Sequence, residues 1–186
     1  MVVFPTDTVY GIGCDPMRPA SIERIYDLKG RDRTKALSLH VASVAEALEY
    51  AGEDPLARLA IEELLPGPVT LIVRRPSFID ETMTAGLPTM GLRVPGHPLC
   101  SEVLERCGPL AGTSANRSGF PAFTGEGDPA VLPPADALID DGPTTYRAES
   151  TIVDVSAGEP RLVREGVVPV ATLERVLGPL GRPAGR

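Results

Sequence analysis

The stretch Ser21–Ala42, SIERIYDLKGRDRTKALSLHVA, passes from a helical pattern to an extended one. Apolar residues recur at helical spacing over Ser21–Leu28, which predicts a helix. From Ala36 to Ala42 apolar residues alternate with Ser38 and His40, which predicts a strand with one polar face. A helix followed directly by a strand is typical of α/β proteins.

The rest of the chain continues this mixture of short elements. Further strands are predicted over Val2–Pro5, Val69–Arg74, Thr89–Val94, Pro109–Thr113, Ala137–Ile139, Thr151–Val155 and Arg161–Arg164. Further helices are predicted over Ser43–Tyr50, Pro55–Leu65, Pro98–Arg106 and Pro169–Leu177. Residues 118–134 are predicted to form a long ordered loop, and residues 178–186 a frayed tail. We expect one α/β domain over residues 1–186, with a twisted mixed sheet flanked by helices.

Composition disfavours several classes of protein. The net charge is -7 and aromatic residues make up 4% of the chain, which counts against a dedicated nucleic-acid groove. Cys14, Cys100 and Cys107 form no CxxC pair, and with only His40 and His97 beside them a zinc site is not expected. We expect a reducing, cytoplasmic setting and no membrane association, because no apolar run is long enough to span a bilayer.

Four cations stand at alternate positions, Lys29, Arg31, Arg33 and Lys35, in this acidic protein. In an extended backbone they would share one face, with steps of about 6.6 Å. Like charges on one face repel unless an anion joins them, and Arg and Lys donate well to polyphosphates. The row therefore indicates a polyphosphate site; the alternative is a solvated basic turn after the helix.

Two polar clusters follow predicted strands. Thr6-Asp7-Thr8 could hold a small polar ligand such as an amino acid, or its side chains could cap an ordinary turn. The run from Thr113 to Gly119 offers hydroxyls, an amide and a guanidinium. It could bind phosphate or carboxylate oxygens, or be a loop of turn formers.

Single residues leave similar alternatives open. His40 could contact a ligand or carry a proton, or it could be structural. Arg93 shares a predicted strand face with Thr89 and Gly91, which suggests an oxyanion passing over the sheet; the alternative is a surface ion pair. Gly112-Thr113-Ser114-Ala115-Asn116 lacks the final glycine of a nucleophile elbow, so a Ser–His hydrolase is weakly supported.

Taken in order, these clusters resemble the YrdC-like threonylcarbamoyl-AMP synthase family over nearly the whole chain. The matching motifs are Pro5–Gly11, Lys29–Arg31 with Lys35 and Leu37, Pro66–Thr70, Arg93–Pro95, Ser114–Gly119, Ser150–Asp154 and Arg164–Gly166. One such motif would be weak evidence, whereas seven in the same order are specific.

The resemblance implies a nucleotidyltransferase that makes L-threonylcarbamoyladenylate. Bicarbonate and L-threonine would form a carbamate, which attacks the α-phosphate of ATP and expels pyrophosphate. The product would feed the threonylcarbamoyl modification of adenosine in tRNA, so tRNA and downstream modification proteins are the expected partners. Mg²⁺ would accompany ATP, held by the phosphates rather than by a protein cage.

The family's binding residues carry over to this sequence position by position. The residues implied for L-threonine are Thr8, His40, Arg93, Ser114 and Ser150. Those implied for ATP are Lys29, Arg31, Lys35, Thr89, Asn116, Thr124 and Arg164. No residue is assigned as a catalytic group or a metal ligand, since transfer of this kind needs alignment and charge neutralisation more than a nucleophile. The loop around Thr124 would be the lid.

Some features depart from the family. Members usually carry a helix and a Gly-rich turn before the first strand, so we expect that helix to be missing here. Ala36 replaces a common proline, and the chain ends soon after Arg164 without the extra C-terminal domain of longer relatives. Two alternatives stay open: a non-catalytic RNA-binding module that uses the basic row, and a paralogue that makes another carbamoyl-adenylate.

Overall fold

Residues 1–181 are described by a computed structural model, and they form nine β-strands and five α-helices. The strands are β1 (Val2–Phe4), β2 (Gly11–Cys14), β3 (Ser38–His40), β4 (Val69–Arg74), β5 (Thr89–Arg93), β6 (Leu110–Ser114), β7 (Ala137–Leu138), β8 (Thr151–Asp154) and β9 (Arg161–Arg164). The helices are α1 (Pro19–Lys29), α2 (Val44–Ala51), α3 (Pro55–Leu64), α4 (Pro98–Cys107) and α5 (Val170–Leu177).

All nine strands belong to one mixed sheet in the order β7-β1-β2-β6-β3-β5-β4-β8-β9. The pairs β1–β7, β3–β5 and β4–β8 are parallel, and the other neighbours are antiparallel. The predicted class, a mixed α/β sheet flanked by helices, is therefore confirmed.

The two faces of the sheet are covered unequally. The main core packs apolar residues of α1, α2, α3 and α5 against one face, where Leu39 of β3 and Leu92 of β5 are fully buried. On the other face, α4 packs over Phe4 and Leu110 in a smaller cluster. Ser38 and His40, which the alternation placed on the polar side of β3, lie on this second face, where the His40 ring contacts Phe4 at the edge of the α4 cluster.

Strand β2 was missed in the sequence, because its segment Gly11-Ile12-Gly13-Cys14 contains two glycines, which weaken the signal of a strand. The structure shows why they are there. A Cβ atom on Gly11 would lie 3.0 Å from Cζ of Phe4, and one on Gly13 would lie 3.0 Å from its Cε1. The absence of side chains at these two positions therefore lets the Phe4 ring approach the backbone of β2 closely.

Two other expectations change. The loop over residues 118–134 contains a short 3-10 helix, Pro129–Val131. The predicted frayed tail is wrong for its described part, since the Gly181 N–H donates to the Pro160 carbonyl at 2.9 Å and the Gly181 carbonyl accepts from Leu162 at 2.8 Å. Residues 182–186 of that predicted tail lie outside the described residues. Within residues 1–181, no helix combines the length and apolarity that a membrane span requires.

The Phe4 side chain is predicted to be a major source of stability on the second face. Its ring is 0% exposed, so Phe4→Ala should lower the free energy of unfolding by about 3–5 kcal/mol. Phe78→Ala is the matched control, because that ring is 59% exposed beside Tyr50; its cost should stay below about 1.5 kcal/mol. Urea unfolding of the three proteins measures both values, and equal losses would contradict this account.

Candidate functional site

A cavity of about 270 Å³ opens on the second face of the sheet, where α4 leaves the strands uncovered. Its floor is almost bare backbone. Ser38 on β3 stands directly between Gly91 on β5 and Gly112 on β6. A Cβ atom on Gly91 would overlap the Ser38 hydroxyl, and one on Gly112 would lie 3.0 Å from the Ile12 carbonyl oxygen. These glycines therefore leave room for Ser38 and for the backbone of β2, and the floor carries no bulky side chain at either position.

The five residues predicted to bind L-threonine all line this cavity. They are Thr8, His40, Arg93, Ser114 and Ser150. They come from the β1–β2 connection, β3, β5, β6 and the segment before β8, so the sheet brings together positions that are far apart in the chain.

The residues predicted to bind ATP are divided among several places. Arg31 and Arg164 line the same cavity, while Asn116 and Thr124 line a second cavity of about 530 Å³. The second cavity is largely apolar and is walled by residues of the long loop, among them Phe120 and Phe123. Lys29, Lys35 and Thr89 line neither cavity.

A buried ion pair lies at the base of the cavity. Arg93 Nη2 donates to Asp7 Oδ1 at 2.5 Å and to the Thr8 hydroxyl at 2.7 Å. Both charged side chains are almost fully buried, at 6% and 1% exposure. Burial lowers the pKa of Arg93 and the Asp7 carboxylate opposes that shift, so the guanidinium stays charged. Asp7 thereby fixes the direction of Arg93, a role that its cluster alone did not reveal.

A second guanidinium stands across the cavity at the Ser150 side. Arg164 Nη2 donates to the Ser150 carbonyl at 2.9 Å, and its Nη1 lies 2.7 Å from Glu149 Oε2. Ser150 also shares a 2.9 Å hydrogen bond with the hydroxyl of Thr70 on β4. Gly166 permits this approach, since a Cβ atom there would overlap the Glu149 carbonyl.

The expected basic row is wrong as an extended strand. Lys29 ends α1, and Gly30 follows with φ 57°, a left-handed conformation that turns the chain away. Arg33 points outward and pairs with Glu23 and with Asp27, the latter at 2.7 Å. The four cations consequently do not share one face, because the helix end reverses the chain between the first and the second.

Each remaining cation of the row has its own environment. Arg31 reaches the cavity, with Nη1 3.3 Å from the Thr113 hydroxyl and Nη2 2.8 Å from the Ala36 carbonyl. Lys35 is exposed on the turn, and Lys29 is buried against the loop after β6. Only Arg31 of the four therefore presents its charge to the cavity.

Thr89 lies at the start of β5, paired with Arg74 on β4. It shares the strand face of Gly91 and Arg93, as predicted, but it sits outside the lining of both cavities. The face was predictable from the period of two, whereas the extent of the cavity along the strand was not.

The long loop is held at its centre rather than free. Tyr10 N–H donates to the Phe123 carbonyl at 2.9 Å, and Thr144 N–H donates to the Thr124 carbonyl at 2.8 Å. The Tyr10 hydroxyl donates to Asp140 at 2.5 Å, and burial with this carboxylate raises its pKa to about 12. These contacts anchor the loop at Phe123 and Thr124, and its role as a lid stays a prediction.

Several residues that line the cavity had no assigned role in the sequence. They are Thr6, Ser38, Thr70, Thr113 and Glu149. Thr6 and Thr113 belong to clusters that were singled out, and Thr70 falls in a matching motif, so those signals were present. Ser38 stands on the polar face that the alternation predicted for β3, whereas no sequence signal pointed to Glu149.

His40 stays neutral throughout the physiological range. Burial, together with the positive charge of Arg93, lowers its pKa to about 3. Its Nδ1 has no hydrogen-bond partner among residues 1–181, and its ring packs edge-on against Phe4 at 5.8 Å. A neutral imidazole beside Arg93 adds no repulsive charge to the cavity and is too weak a base to hold a proton at pH 7.

The neutral His40 should make the fold sensitive to acid. Because the unfolded chain binds a proton near pH 6.5 and the folded chain only near 3, stability should fall as pH drops through that window, by up to about 1.4 kcal/mol per pH unit. His40→Asn should remove this increment, while His97→Asn, the matched control, should keep it. Denaturant titrations from pH 4 to 7 test this, and an unchanged slope in His40→Asn would contradict it.

Comparison with known proteins identifies similar chains. The family model Sua5_yciO_yrdC, described as telomere recombination, matches residues 1–166. The threonylcarbamoyl-AMP synthase of Pyrococcus abyssi is 34% identical over 182 residues, which is 96% of this chain and 54% of the relative. A putative threonylcarbamoyl-AMP synthase of Methanocaldococcus jannaschii is 34% identical over 94% of this chain and 84% of its own length.

Solved structures agree with the sequence relatives. P. abyssi Sua5 complexed with L-threonine has a TM-score of 0.88 at 32% identity, covering 98% of this chain and 55% of that one. E. coli YciO has a TM-score of 0.77 at 26% identity, covering 91% and 84%. The chain thus spans about half the length of the P. abyssi protein. With a family model over residues 1–166 and relatives a third identical along most of its length, the chain belongs to the Sua5/YciO/YrdC family.

Proposed function

We propose that this chain is an L-threonylcarbamoyladenylate synthase, which converts ATP, L-threonine and bicarbonate to threonylcarbamoyl-AMP and pyrophosphate. The observation that carries the proposal is the cavity that gathers all five predicted threonine-binding residues together with Arg31 and Arg164. The names of the P. abyssi and M. jannaschii relatives, and the L-threonine complex of the former, support the same activity.

The amino acid is proposed to lie at the Arg93 end. Hydrogen bonds to Asp7 and Thr8 already orient the Arg93 guanidinium, so it needs little rearrangement to bind a carboxylate. Buried nitrogen atoms without a partner among residues 1–181 include Arg93 Nε, Arg164 Nε and His40 Nδ1, and all three residues line the cavity. Buried polar atoms are normally satisfied, so such a concentration is typical of a binding site.

The phosphates of ATP are proposed to lie between Arg31 and Arg164. Guanidinium groups give strong charge-assisted hydrogen bonds to phosphate oxygens. Both are held by backbone carbonyls, Arg31 by Ala36 and Arg164 by Ser150, which positions them before the nucleotide binds. The apolar second cavity, next to Asn116, would take the nucleoside part.

The chemistry then follows from position and charge. The threonine amine and bicarbonate combine to a carbamate with loss of water, and a carbamate oxygen attacks the α-phosphorus as pyrophosphate leaves. Arg31 and Arg164 would neutralise charge that develops on the phosphates, and the bare floor lets the two reactants approach. His40 cannot serve as the base because its pKa is about 3, so it is proposed to contact the amino acid in its neutral form.

Mg²⁺ is proposed to enter with ATP rather than to be held by a protein cage. Residues 1–181 contain no group of three or more His, Cys, Asp or Glu side chains placed to hold a metal ion. Among the cavity-lining residues Glu149 carries the carboxylate, and it is paired with Arg164. The residues present do not form a site for the ion, and no step is assigned through it.

The alternative of an RNA-binding module loses its main support. It required a continuous basic surface, but Arg33 is paired with acidic side chains and Lys29 is buried. Binding to tRNA, and transfer of the threonylcarbamoyl group to tRNA by downstream proteins, stay proposals that rest on the family resemblance.

The proposed reaction predicts a strict dependence on all three substrates. Pyrophosphate should form only when ATP, L-threonine and bicarbonate are present together, which a coupled pyrophosphate assay measures. Replacing L-threonine by other amino acids in the same assay separates this activity from a paralogous one. Pyrophosphate release at the same rate without threonine would contradict the proposal.

Arg31 is predicted to contribute to ATP binding far more than to folding. Loss of a charge-assisted contact to phosphate should weaken ATP binding by about 10- to 100-fold in Arg31→Ala. Arg33→Ala is the matched control two residues away, because its guanidinium pairs with Glu23 and Asp27 outside the cavity. Calorimetric titration with ATP compares them, and thermal unfolding checks that both remain folded. Equal ATP affinities in the two variants would overturn this role.

A further inference from the structure

The hydroxyl of Ser114 lines the cavity, but its proton is already used in a hydrogen bond within the protein. Ser114 Oγ donates to Asn116 Oδ1 at 2.6 Å. A serine hydroxyl has one proton, so towards the cavity this oxygen offers only lone pairs. The direction of this hydrogen bond is set by the orientation of the Asn116 amide.

The surroundings of Asn116 decide the orientation of its amide. Its Nδ2 donates to the Phe120 carbonyl at 2.6 Å and to the Arg117 carbonyl at 3.1 Å. Its Oδ1 lies 3.4 Å from the ammonium nitrogen of Lys29. A rotated amide would point its NH₂ group at this cation and its oxygen at two carbonyls, so the network permits one orientation.

The buried ammonium group of Lys29 holds this network in place. It is 3% exposed, and its ammonium donates to the Ser114 carbonyl at 2.5 Å and to the Asn116 carbonyl. With Asn116 Oδ1, these oxygens match the three donors of an ammonium group. The Lys29 carbonyl also accepts from Ser118 N–H at 2.9 Å, so the end of α1 holds the loop at several points.

We propose that Lys29 is a positioning residue, not a nucleotide ligand: through the Asn116 amide it holds the Ser114 hydroxyl as a hydrogen-bond acceptor towards the amino-acid substrate. This inference rests on the proposed function and differs from the role in ATP binding that the family resemblance suggested for Lys29. Its ammonium is consumed by oxygens of the protein, so it has no donor left for phosphate.

Thr8, which also lines the cavity, has the same hydrogen-bond polarity for an independent reason. The Thr6 hydroxyl donates to the Val9 carbonyl at 2.6 Å and accepts from the N–H groups of Thr8 and Val9, so it has no proton to give in its 3.0 Å contact with Thr8. Thr8 Oγ1 also accepts from Arg93. Both hydroxyls therefore present lone pairs to the cavity, which suits a substrate group that donates N–H or O–H. The amino and hydroxyl groups of L-threonine are such donors.

Burial of Lys29 has a further consequence for its charge. Desolvation and the nearby Arg31 guanidinium lower the pKa of the ammonium to about 8, while the three oxygen acceptors favour the charged form. The site is therefore built around a cation whose burial is tolerated only because its acceptors are in place.

A double-mutant cycle between Lys29→Met and Ser114→Ala tests the proposal. The dissociation constant of L-threonine is measured by calorimetry in the absence of ATP, with Arg33→Met as the control that removes an outward cation of the same turn. Each single variant should weaken binding by about 10-fold, and the double variant should also be about 10-fold weaker rather than about 100-fold. Arg33→Met should bind L-threonine like the wild type.

Two further measurements separate positioning from a general loss of structure. Lys29→Met should lower the melting temperature by the same amount whether or not the Ser114→Ala substitution is also present. It should change ATP affinity by less than about 3-fold. If Lys29→Met does not fold, Asn116→Ala replaces it in the cycle, because the same relay runs through that amide.

The outcomes are distinct. Additive effects on L-threonine binding, or a larger loss for ATP than for L-threonine, would overturn the role of Lys29 while leaving the enzyme activity standing. A wild-type protein that binds no L-threonine would overturn the proposed function and this inference together.

Discussion

The ion pair between Arg93 and Asp7 is the interaction on which the cavity depends. Both charged side chains are almost fully buried, and removing either partner of such a pair typically costs about 3–5 kcal/mol. The same segment organises its neighbours, since the Asp7 carbonyl accepts from Tyr146 and the Thr8 carbonyl accepts from Thr144. One short connection between β1 and β2 thus orients a cation, presents a hydroxyl and holds a distant loop.

The cations at the end of α1 and in the turn after it have three different environments, although they are evenly spaced in the sequence. Arg33 faces acidic side chains outside, Arg31 faces the cavity, and Lys29 is enclosed by carbonyl oxygens. A left-handed Gly30 separates the last helical residue from the other two. An acidic protein can thereby keep a small positive site without a broad positive surface, which favours a compact anionic ligand over a nucleic-acid strand.

The sequence predicted most elements because their signals are local. The alternation through Ser38 and His40 placed both on the open face, and the predicted helices end within a residue of those in the structure. Strand β2 was missed because its glycines serve Phe4, a contact between strands. The partners of Lys29 lie 85 and 87 residues away, so no local pattern could show that its charge is turned inward. Family resemblance supplied the predicted binding residues, whereas the direction of their hydrogen bonds could be read only from the structure.

The two glycines in the floor of the cavity, Gly91 and Gly112, affect both its shape at higher temperature and the substitutions that it can accept. Gly91 and Gly112 line the cavity with main chain that is fixed by strand pairing on both sides, so it has no rotamers to change. The outline of the pocket should therefore persist as thermal motion loosens longer side chains around it. The same rigidity limits the substitutions that the protein can accept, because a Cβ atom on Gly91 would overlap the Ser38 hydroxyl and one on Gly112 would lie 3.0 Å from the Ile12 carbonyl oxygen. Substitutions that change what the cavity binds would therefore have to occur among the side chains around it, not at the two glycines of its floor.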